Sequence, residues 1–235
     1  MTSLHKLIQT TKVFTHLPHN ELQEQLEQIN SEAGRYYKTP AGLLYPSVTT
    51  VTGLLGLEDI KKWRARVGED EANRISTKAT KRGSRVHKLC EAYLNNDLNN
   101  IEPDKYTLSD IDNFMTLMPT LDYIDNIRMQ ETRLYSDYLR VAGTVDCIAD
   151  FDGKLSVIDF KTATKPKKES YITNYFCQAA AYAIMYEERT GIPINRIVVL
   201  ISVDYDDPQI FVKKRDQYVE QLFDVRRLYK ERYNV

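Results

Sequence analysis

The stretch GTVDCIADFDGKLSVIDFKTATK, residues 143–165, decides how the rest of the chain is interpreted. Its two apolar segments are rich in residues that favour strands, and Asp152-Gly153 between them is the strongest short signal for a two-residue β-hairpin. Residues 152 and 153 form the turn. If the two strands pair symmetrically around it, the numbers of any two residues that lie opposite each other add up to 305. The sequence therefore predicts two adjacent antiparallel strands.

Charged side chains meet at the far end of this predicted hairpin. In the symmetric register Asp146 lies opposite Asp159, and Lys161 shares a face with Asp159 because strand residues two apart point to the same side. Two neighbouring carboxylates are costly in a sheet unless something neutralises them. Oxygen ligands suit a hard divalent ion such as Mg2+ or Mn2+, and a nearby lysine can orient or deprotonate its water. A solvated strand face with a surface ion pair is the alternative that this spacing leaves open.

The rest of the chain alternates between segments with helical patterns and segments typical of strands. Helices are predicted over residues 18–29, 57–94, 108–127, 171–189 and 216–232, with breaks near Gly68 and Gly83, a kink at Pro119 and a stop at Gly191. Strands are predicted over residues 131–140, 142–151, 154–162, 196–205 and 209–214. Residues 31–55 predict a hairpin or extended loop that runs into a short helix capped by Ser47. This order indicates an α/β or α+β layered fold. We expect one domain over residues 1–235, with a mainly helical part to residue 130 and the sheet from residue 131 onward.

Composition excludes several classes of protein. Lys and Arg total 32 and Asp and Glu total 33, so no overall basic field indicates a nucleic-acid partner, and such a partner requires a local basic patch. Cys90, Cys147 and Cys177 are an odd number without a CxxC pair, which favours reduced core thiols in a cytosol-like compartment. The sequence has no apolar run of membrane-spanning length and no apolar signal core at its N-terminus, so we expect neither membrane insertion nor secretion.

Four short motifs occur in a fixed order along the chain. They are YPSVTTV at residues 45–51, GTVD at 143–146, IDFKT at 158–162 and QAAAY at 178–182. Together they resemble the PD-(D/E)xK nuclease superfamily and, within it, the RecB-like exonuclease branch, which has a QxxxY helix motif. The resemblance is greatest to the mitochondrial genome maintenance exonuclease and related phage exonucleases, although the proline of the nominal motif is absent here. It implies a restriction-endonuclease-like core, in which helices flank a central mixed sheet.

The resemblance assigns roles to the residues of the predicted hairpin. It implies that Asp146 and Asp159 are metal-binding carboxylates and that Lys161 positions the attacking water. The backbone carbonyl of Phe160 is implied to complete the ligand shell of the metal. The expected cofactor is Mg2+ or Mn2+, and an iron-sulfur cluster is not expected because three cysteines cannot supply the four that cluster-bearing relatives use.

Further site residues are implied on two predicted helices. The RecB-like branch has an upstream histidine ligand, and KRGSRVHKLCEAYL supplies His87 in a matching context. Glu91 follows one helical turn later on the same face and is a further candidate ligand, and Glu131 is a similar candidate on its strand. Gln178 and Tyr182 are four residues apart and share a helix face, and the resemblance implies that they hold the active site and the substrate strand. Ordinary core or surface positions are the alternative for each residue.

Basic residues flank the predicted site on both sides in sequence. A phosphate backbone requires such local positive charge, with a solvated helix face and loop as the alternative. The candidate DNA-binding residues are Lys78, Lys81, Arg82, Arg85, Lys88, Lys165, Lys167 and Lys168.

These features predict a metal-dependent DNA exonuclease that acts on single strands with free ends in replication, recombination or repair. By resemblance, the helical N-terminal half and residues 95–127 form a clamp or arch over the strand. One alternative is a structure-selective or sequence-specific endonuclease of the same fold, and another is a non-catalytic DNA-binding scaffold. Replication or recombination proteins are candidate partners. A bacterial or phage-infected cytoplasm is the expected location in preference to a mitochondrion.

Overall fold

The computed structural model describes residues 12–18, 26–31 and 34–234. The strands are β1 Glu27–Ser31, β2 Gly34–Lys38, β3 Leu44–Pro46, β4 Ile124–Ser136, β5 Val141–Phe151, β6 Lys154–Ala163, β7 Arg196–Val203 and β8 Gln209–Lys214. The α-helices are α1 Val48–Thr52, α2 Leu57–Val67, α3 Glu69–Leu94, α4 Leu108–Leu121, α5 Thr173–Thr190 and α6 Val219–Tyr233. None of the helices in the described ranges is both long and apolar enough to cross a membrane.

The centre of the molecule is a five-stranded sheet with the order β4-β5-β6-β7-β8. Only β6 and β7 pair in parallel, with α5 as the crossover between them, and the other neighbours are antiparallel. The sheet is therefore mixed and flanked by helices, as the sequence and the family resemblance predicted. In the β5–β6 hairpin the pairs run from Phe151–Lys154 to Cys147–Ile158. The residue numbers of each pair add up to 305, so the predicted register is confirmed.

Both faces of this sheet are covered, because its inner strands are apolar on both sides. On one face Val157 and Val199 pack with residues of α1, α5 and α6. On the other face Ile158 and Val198 pack with residues of α3 and α4. The sequence of β7, RIVVLISV, is accordingly a nearly continuous apolar run, which is typical of a strand buried on both faces. The candidate site lies where β5 and β6 leave this double-sided core.

The N-terminal region contains a small sheet that the sequence did not predict in this form. Strands β1, β2 and β3 form a three-stranded antiparallel sheet. The predicted helix over residues 18–29 is wrong where it can be checked, because Gln28 and Ile29 belong to β1; residues 19–25 lie outside the described residues. Tyr37 of β2 is fully buried and packs with Leu26 and Ala142, so the small sheet is joined to β5.

Most other predicted elements are confirmed, with changed boundaries. Ser47 caps α1 by accepting a hydrogen bond from the Thr50 backbone, as predicted. The helix predicted over residues 108–127 ends at Leu121, and β4 begins at Ile124, seven residues earlier than the predicted strand. The expected break at Gly83 is wrong, since α3 is continuous through it, while Gly68 does separate α2 from α3.

Candidate active site

Three acidic residues occupy neighbouring positions on three adjacent strands. By continuation of the register, Glu131 of β4 lies at the position opposite Asp146 of β5, and Asp146 and Asp159 lie one position beyond the last pair of β5 with β6. The register pairs next to them are Gln130–Cys147, Thr132–Val145 and Cys147–Ile158. The Asp146–Asp159 adjacency is the one predicted from the Asp-Gly turn. The carboxylates thus form a row across the sheet.

The backbone is irregular along this row. Val145 and Ile148 both face the α5 side although they are three residues apart, so the strand alternation shifts at Asp146. Opposite it, Glu131 has a φ of +44°, a left-handed conformation that is uncommon for a residue with a side chain. The Phe160 backbone N–H donates a 2.8 Å hydrogen bond to Asp146 Oδ2, so this carboxylate lies between the two strands. Such irregularities are frequent beside active sites.

Helix α3 brings His87 to the same place. Its Nδ1 lies 3.6 Å from Asp146 Oδ2, and its ring packs edge-on against Phe160 with 6.0 Å between ring centroids. One nitrogen of His87 and one carboxylate oxygen each of Glu131 and Asp146 all lie within 4.8 Å of one another. Val86, Leu89 and Cys90 on the neighbouring faces are buried in the core, which fixes the direction of the imidazole.

The Glu131 carboxylate carries the clearest electrostatic signature of the site. Partial loss of water around it, followed by the negative charges of Asp146 and Glu91, raises the pKa of Glu131 to about 8. The residue as a whole is exposed, so solvent and cations reach it. A carboxylate held near other carboxylates favours a bound cation, because the cation removes the repulsion that raises the pKa.

Asp159 and Lys161 form an ion pair at the end of β6. Gln178 of α5 donates a 3.2 Å hydrogen bond to Asp159 Oδ1, and the Lys161 ammonium contacts Oδ2 and lies 5.1 Å from the centre of the Tyr175 ring. Burial raises the pKa of Asp159, although the Lys161 charge limits the rise. Burial lowers the pKa of Lys161, but the Asp159 and Asp146 charges outweigh it and the net shift is upward. The pair is therefore ionised near neutral pH.

Tyr182 fits against β5 only because residue 143 is glycine. A Cβ atom on Gly143 would lie 2.7 Å from the Tyr182 hydroxyl oxygen and 3.0 Å from a ring carbon. Tyr182 is almost fully buried, and it lies one helical turn after Gln178 on α5. The packing of Gly143 against Tyr182 therefore sets the position of the helix turn that holds Asp159.

The remaining candidate ligands lie near this group with fewer contacts. The negative charge of Glu91 contributes to the raised pKa of Glu131. The Glu91 backbone oxygen accepts a 3.4 Å hydrogen bond from Gln130 Nε2, so Glu91 borders the site from α3. The Phe160 carbonyl oxygen accepts a 3.4 Å hydrogen bond from Lys161 Nζ. Sequence reasoning missed Tyr175, whose ring faces Lys161; its position three residues before Gln178 on the same helix was the available signal.

The candidate DNA-binding residues fall into two groups. Six lysines are exposed: Lys78, Lys81, Lys88, Lys165, Lys167 and Lys168. The two arginines are engaged inside the protein, since Arg82 pairs with Asp204 at 2.7 Å and Arg85 pairs with the buried Asp110. These ion pairs attach α3 to the end of β7 and to the start of α4, so both arginines have a structural function. Their contact with DNA stays a prediction.

The donor set fits a hard divalent cation. Its oxygens and imidazole nitrogen match the ligands that Mg2+ and Mn2+ accept. Asp159 Oδ2 is enclosed by protein and is in contact with the Lys161 ammonium, which supplies its counter-charge. His87, Glu131 and Asp146 would hold the ion, and Asp159 lies at the adjacent strand position.

The mixed sheet, with carboxylates and a lysine on β5 and β6, is the arrangement that the sequence resemblance implied. Residues 121–234 match the model of the PD-(D/E)XK nuclease superfamily, so the resemblance of this part of the chain to that superfamily is confirmed. The chain is similar to mitochondrial genome maintenance exonuclease 1 of Homo sapiens, with 28% identity over 155 residues, covering 63% of this chain and 44% of that protein. The chain is also similar to the Xenopus tropicalis protein of the same name, with 37% identity over 89 residues, covering 36% of this chain and 24% of that protein.

The present chain thus spans less than half of the length of these relatives. Among solved structures, a candidate exonuclease from Eubacterium rectale aligns with a TM-score of 0.47 and 10% identity, covering 64% of this chain and 65% of that chain. A similarity of this size supports no conclusion.

Asp146→Asn and His87→Ala are each expected to weaken Mn2+ binding by about tenfold or more, because each removes one of three clustered donors. Isothermal titration calorimetry with the wild-type protein and the variants measures this effect. Asp150→Asn is the matched control, since it removes a carboxylate of the same strand that accepts from Asn126 instead. Equal losses in Asp150→Asn and Asp146→Asn would contradict the assigned cluster.

The metal-free protein is expected to lose stability as pH rises from about 5 to 8. The pKa of Glu131 is about 8 in the folded state, against 4.5 for an ordinary glutamate, so the folded state binds more protons in this window and stability falls with pH. Because solvent screens this exposed side chain and reduces the effect of the shift, thermal melts in EDTA should show a decrease of only about 2 to 4 °C, equivalent to about 1 kcal/mol. Glu131→Gln should flatten the profile, and an unchanged profile in that variant would contradict the assignment.

Proposed function

We propose that this protein is a metal-dependent exonuclease that hydrolyses DNA phosphodiester bonds from single-stranded ends. The observation that carries the proposal is the position of the Lys161–Asp159 pair beside the cluster of His87, Glu131 and Asp146. The family match and the similarity to proteins named exonucleases support the reaction class. Mg2+ or Mn2+ is the proposed cofactor, and DNA with a free end is the proposed substrate.

The residues of the site have distinct roles in the proposed reaction. When a divalent cation is bound, the chemistry that it supplies is Lewis-acid polarisation of a phosphoryl oxygen and easier ionisation of water. Lys161 is held as an ammonium by Asp159, so it donates hydrogen bonds and is suited to orient the attacking water. Gln178 fixes the Asp159 carboxylate, and Phe160 N–H fixes that of Asp146. These contacts hold the charged groups in place before substrate binds.

The surroundings of the site are suited to a polyanion. The exposed Lys165, Lys167 and Lys168 follow β6 directly, and Lys88 follows His87 on α3. This placement provides positive charge on both sides of the carboxylates, which compensates the repulsion between them and phosphate groups. The preference for a free single-stranded end rests on the family resemblance, in which helices upstream of the sheet form an arch.

Incubation with Mg2+ and three labelled DNAs tests this function. The substrates are linear single-stranded, linear duplex and circular single-stranded DNA, with EDTA and a Lys161 variant as controls. We expect loss of the linear single strand only, and the position of the label then reports polarity. Cleavage of the circle would indicate an endonuclease, and tight binding without cleavage would indicate a non-catalytic scaffold.

A further inference from the structure

Arg128 of β4 is a partly buried arginine to which the described residues supply no partner. Its Nε is enclosed by protein and donates to no acceptor among the described residues, and its guanidinium forms no ion pair with them. Arg82 and Arg189 also have an enclosed Nε without an acceptor among the described residues, but their terminal nitrogens pair with carboxylates. An enclosed charged donor without an acceptor costs stability, because it loses water and gains nothing in return. A ligand that supplies the acceptor would offset this cost.

The strand is distorted where Arg128 lies. The register between β4 and β5 shifts between Asp125 and Met129, and Asn126 has a φ of +48°. Bulges of this kind redirect a side chain and occur beside active sites. Arg128 precedes Glu131 by three residues. Arg128 therefore lies about 10 Å along the strand from Glu131, a separation that an extended substrate strand can bridge.

A second enclosed polar atom lies between Arg128 and the row. Gln130 is two residues from Arg128, and its Oε1 accepts no hydrogen bond from the part of the chain that the structure describes, while its Nε2 donates to the Glu91 backbone at 3.4 Å. The latter bond places this part of β4 against α3, the helix that carries His87. The unpaired Oε1 is an acceptor that water can satisfy, so of these two groups only Arg128 suits an anionic ligand.

We propose that Arg128 binds a phosphate group of the substrate strand next to the candidate active site. A guanidinium matches phosphate oxygens with two parallel hydrogen bonds, and it is more weakly hydrated than an ammonium, so a partly buried position suits it. The inference rests on the proposed function, to which it adds a binding site for the substrate backbone. The phosphate is either an internal diester or a terminal monoester of the strand.

Equilibrium binding without cleavage tests this site. Fluorescence anisotropy would be measured with Asp159→Asn protein and short single-stranded oligonucleotides that carry a 5′-phosphate, a 3′-phosphate or hydroxyls at both ends. Adding Arg128→Gln should weaken binding about tenfold and reduce the slope of log affinity against log salt by about 0.7, because one phosphate contact is lost. Arg128→Lys should show an intermediate loss. A loss restricted to one phosphorylated oligonucleotide identifies a terminal monoester, and an equal loss on all three identifies an internal diester.

Thermal stability separates ligand binding from a structural role. Because no described residue pairs with Arg128, Arg128→Gln should melt at the same temperature as the parent or higher, and a clearly lower midpoint would contradict the inference. Arg227→Gln is the matched control, since Arg227 pairs with Asp224 on the exposed side of α6. Equal affinities of Arg128→Gln and Arg227→Gln would overturn this inference alone. Absence of binding by the parent protein would overturn the proposed function itself.

Discussion

Replacing Lys161 with methionine is expected to lower the rate of DNA cleavage by at least about a thousandfold. The ammonium is the cationic donor in contact with Asp159, at the position from which it can orient water and stabilise developing negative charge. Methionine keeps the unbranched side chain and much of its volume but removes the charge. Single-turnover cleavage of a labelled single strand measures the effect, and anisotropy measures DNA affinity, which should change by no more than about threefold.

Loss of fold must be separated from loss of chemistry in this experiment. Lys161→Met leaves Asp159 buried without its counter-charge, which destabilises a protein unless the carboxyl takes up a proton. The double variant with Asp159→Asn removes both charges, so it should recover thermal stability while remaining inactive. Lys213→Met is the control, because Lys213 also forms an ion pair, with Glu169, but lies on the outer strand β8. Cleavage by Lys161→Met within about tenfold of that of Lys213→Met would contradict the assigned role.

The hairpin and its charged end were predictable because they depend on local sequence. The Asp152-Gly153 turn sets the register, and the register places Asp146 beside Asp159 without information from elsewhere in the chain. Glu131 could not be placed in this way. Its position opposite Asp146 depends on the register of β4, and β4 contains an irregularity between Asp125 and Met129 that no short motif indicates.

Long-range ion pairs explain the other differences. Arg82 and Arg85 belong to a basic run and were natural candidates for DNA contacts. Their partners Asp204 and Asp110 are distant in sequence and become neighbours only when α3 packs on β7 and α4. The sequence predicted a helix break near Gly83 because glycine lowers helix propensity. In the folded protein that glycine faces Thr162 of β6, at 3.8 Å from its ideal Cβ position, and tertiary packing keeps the helix continuous.

Gly143→Ala is expected to lower the cleavage rate by about ten to a hundredfold and stability by about 1–3 kcal/mol. The new methyl group would lie 2.7 Å from the hydroxyl oxygen of Tyr182, which is shorter than any ordinary van der Waals contact. Tyr182 is buried and cannot rotate away freely, so α5 must shift and carry Gln178 with it. Gln178 holds Asp159 by a 3.2 Å hydrogen bond. The shift therefore reaches the residue that pairs with Lys161, and small displacements at such a position are costly.

A double-mutant cycle isolates this contact. Tyr182→Phe removes the atom nearest to the added methyl group, so Gly143→Ala should cost less in the Tyr182→Phe background, by a coupling energy of about 1 kcal/mol. Thermal melts and single-turnover rates of the four proteins provide the cycle. Gly53→Ala is the matched control, since its φ of −58° suits alanine and nothing lies within 4 Å of the new atom. If Gly143→Ala were as stable and as active as Gly53→Ala, the packing of Tyr182 against β5 would not control the position of Asp159.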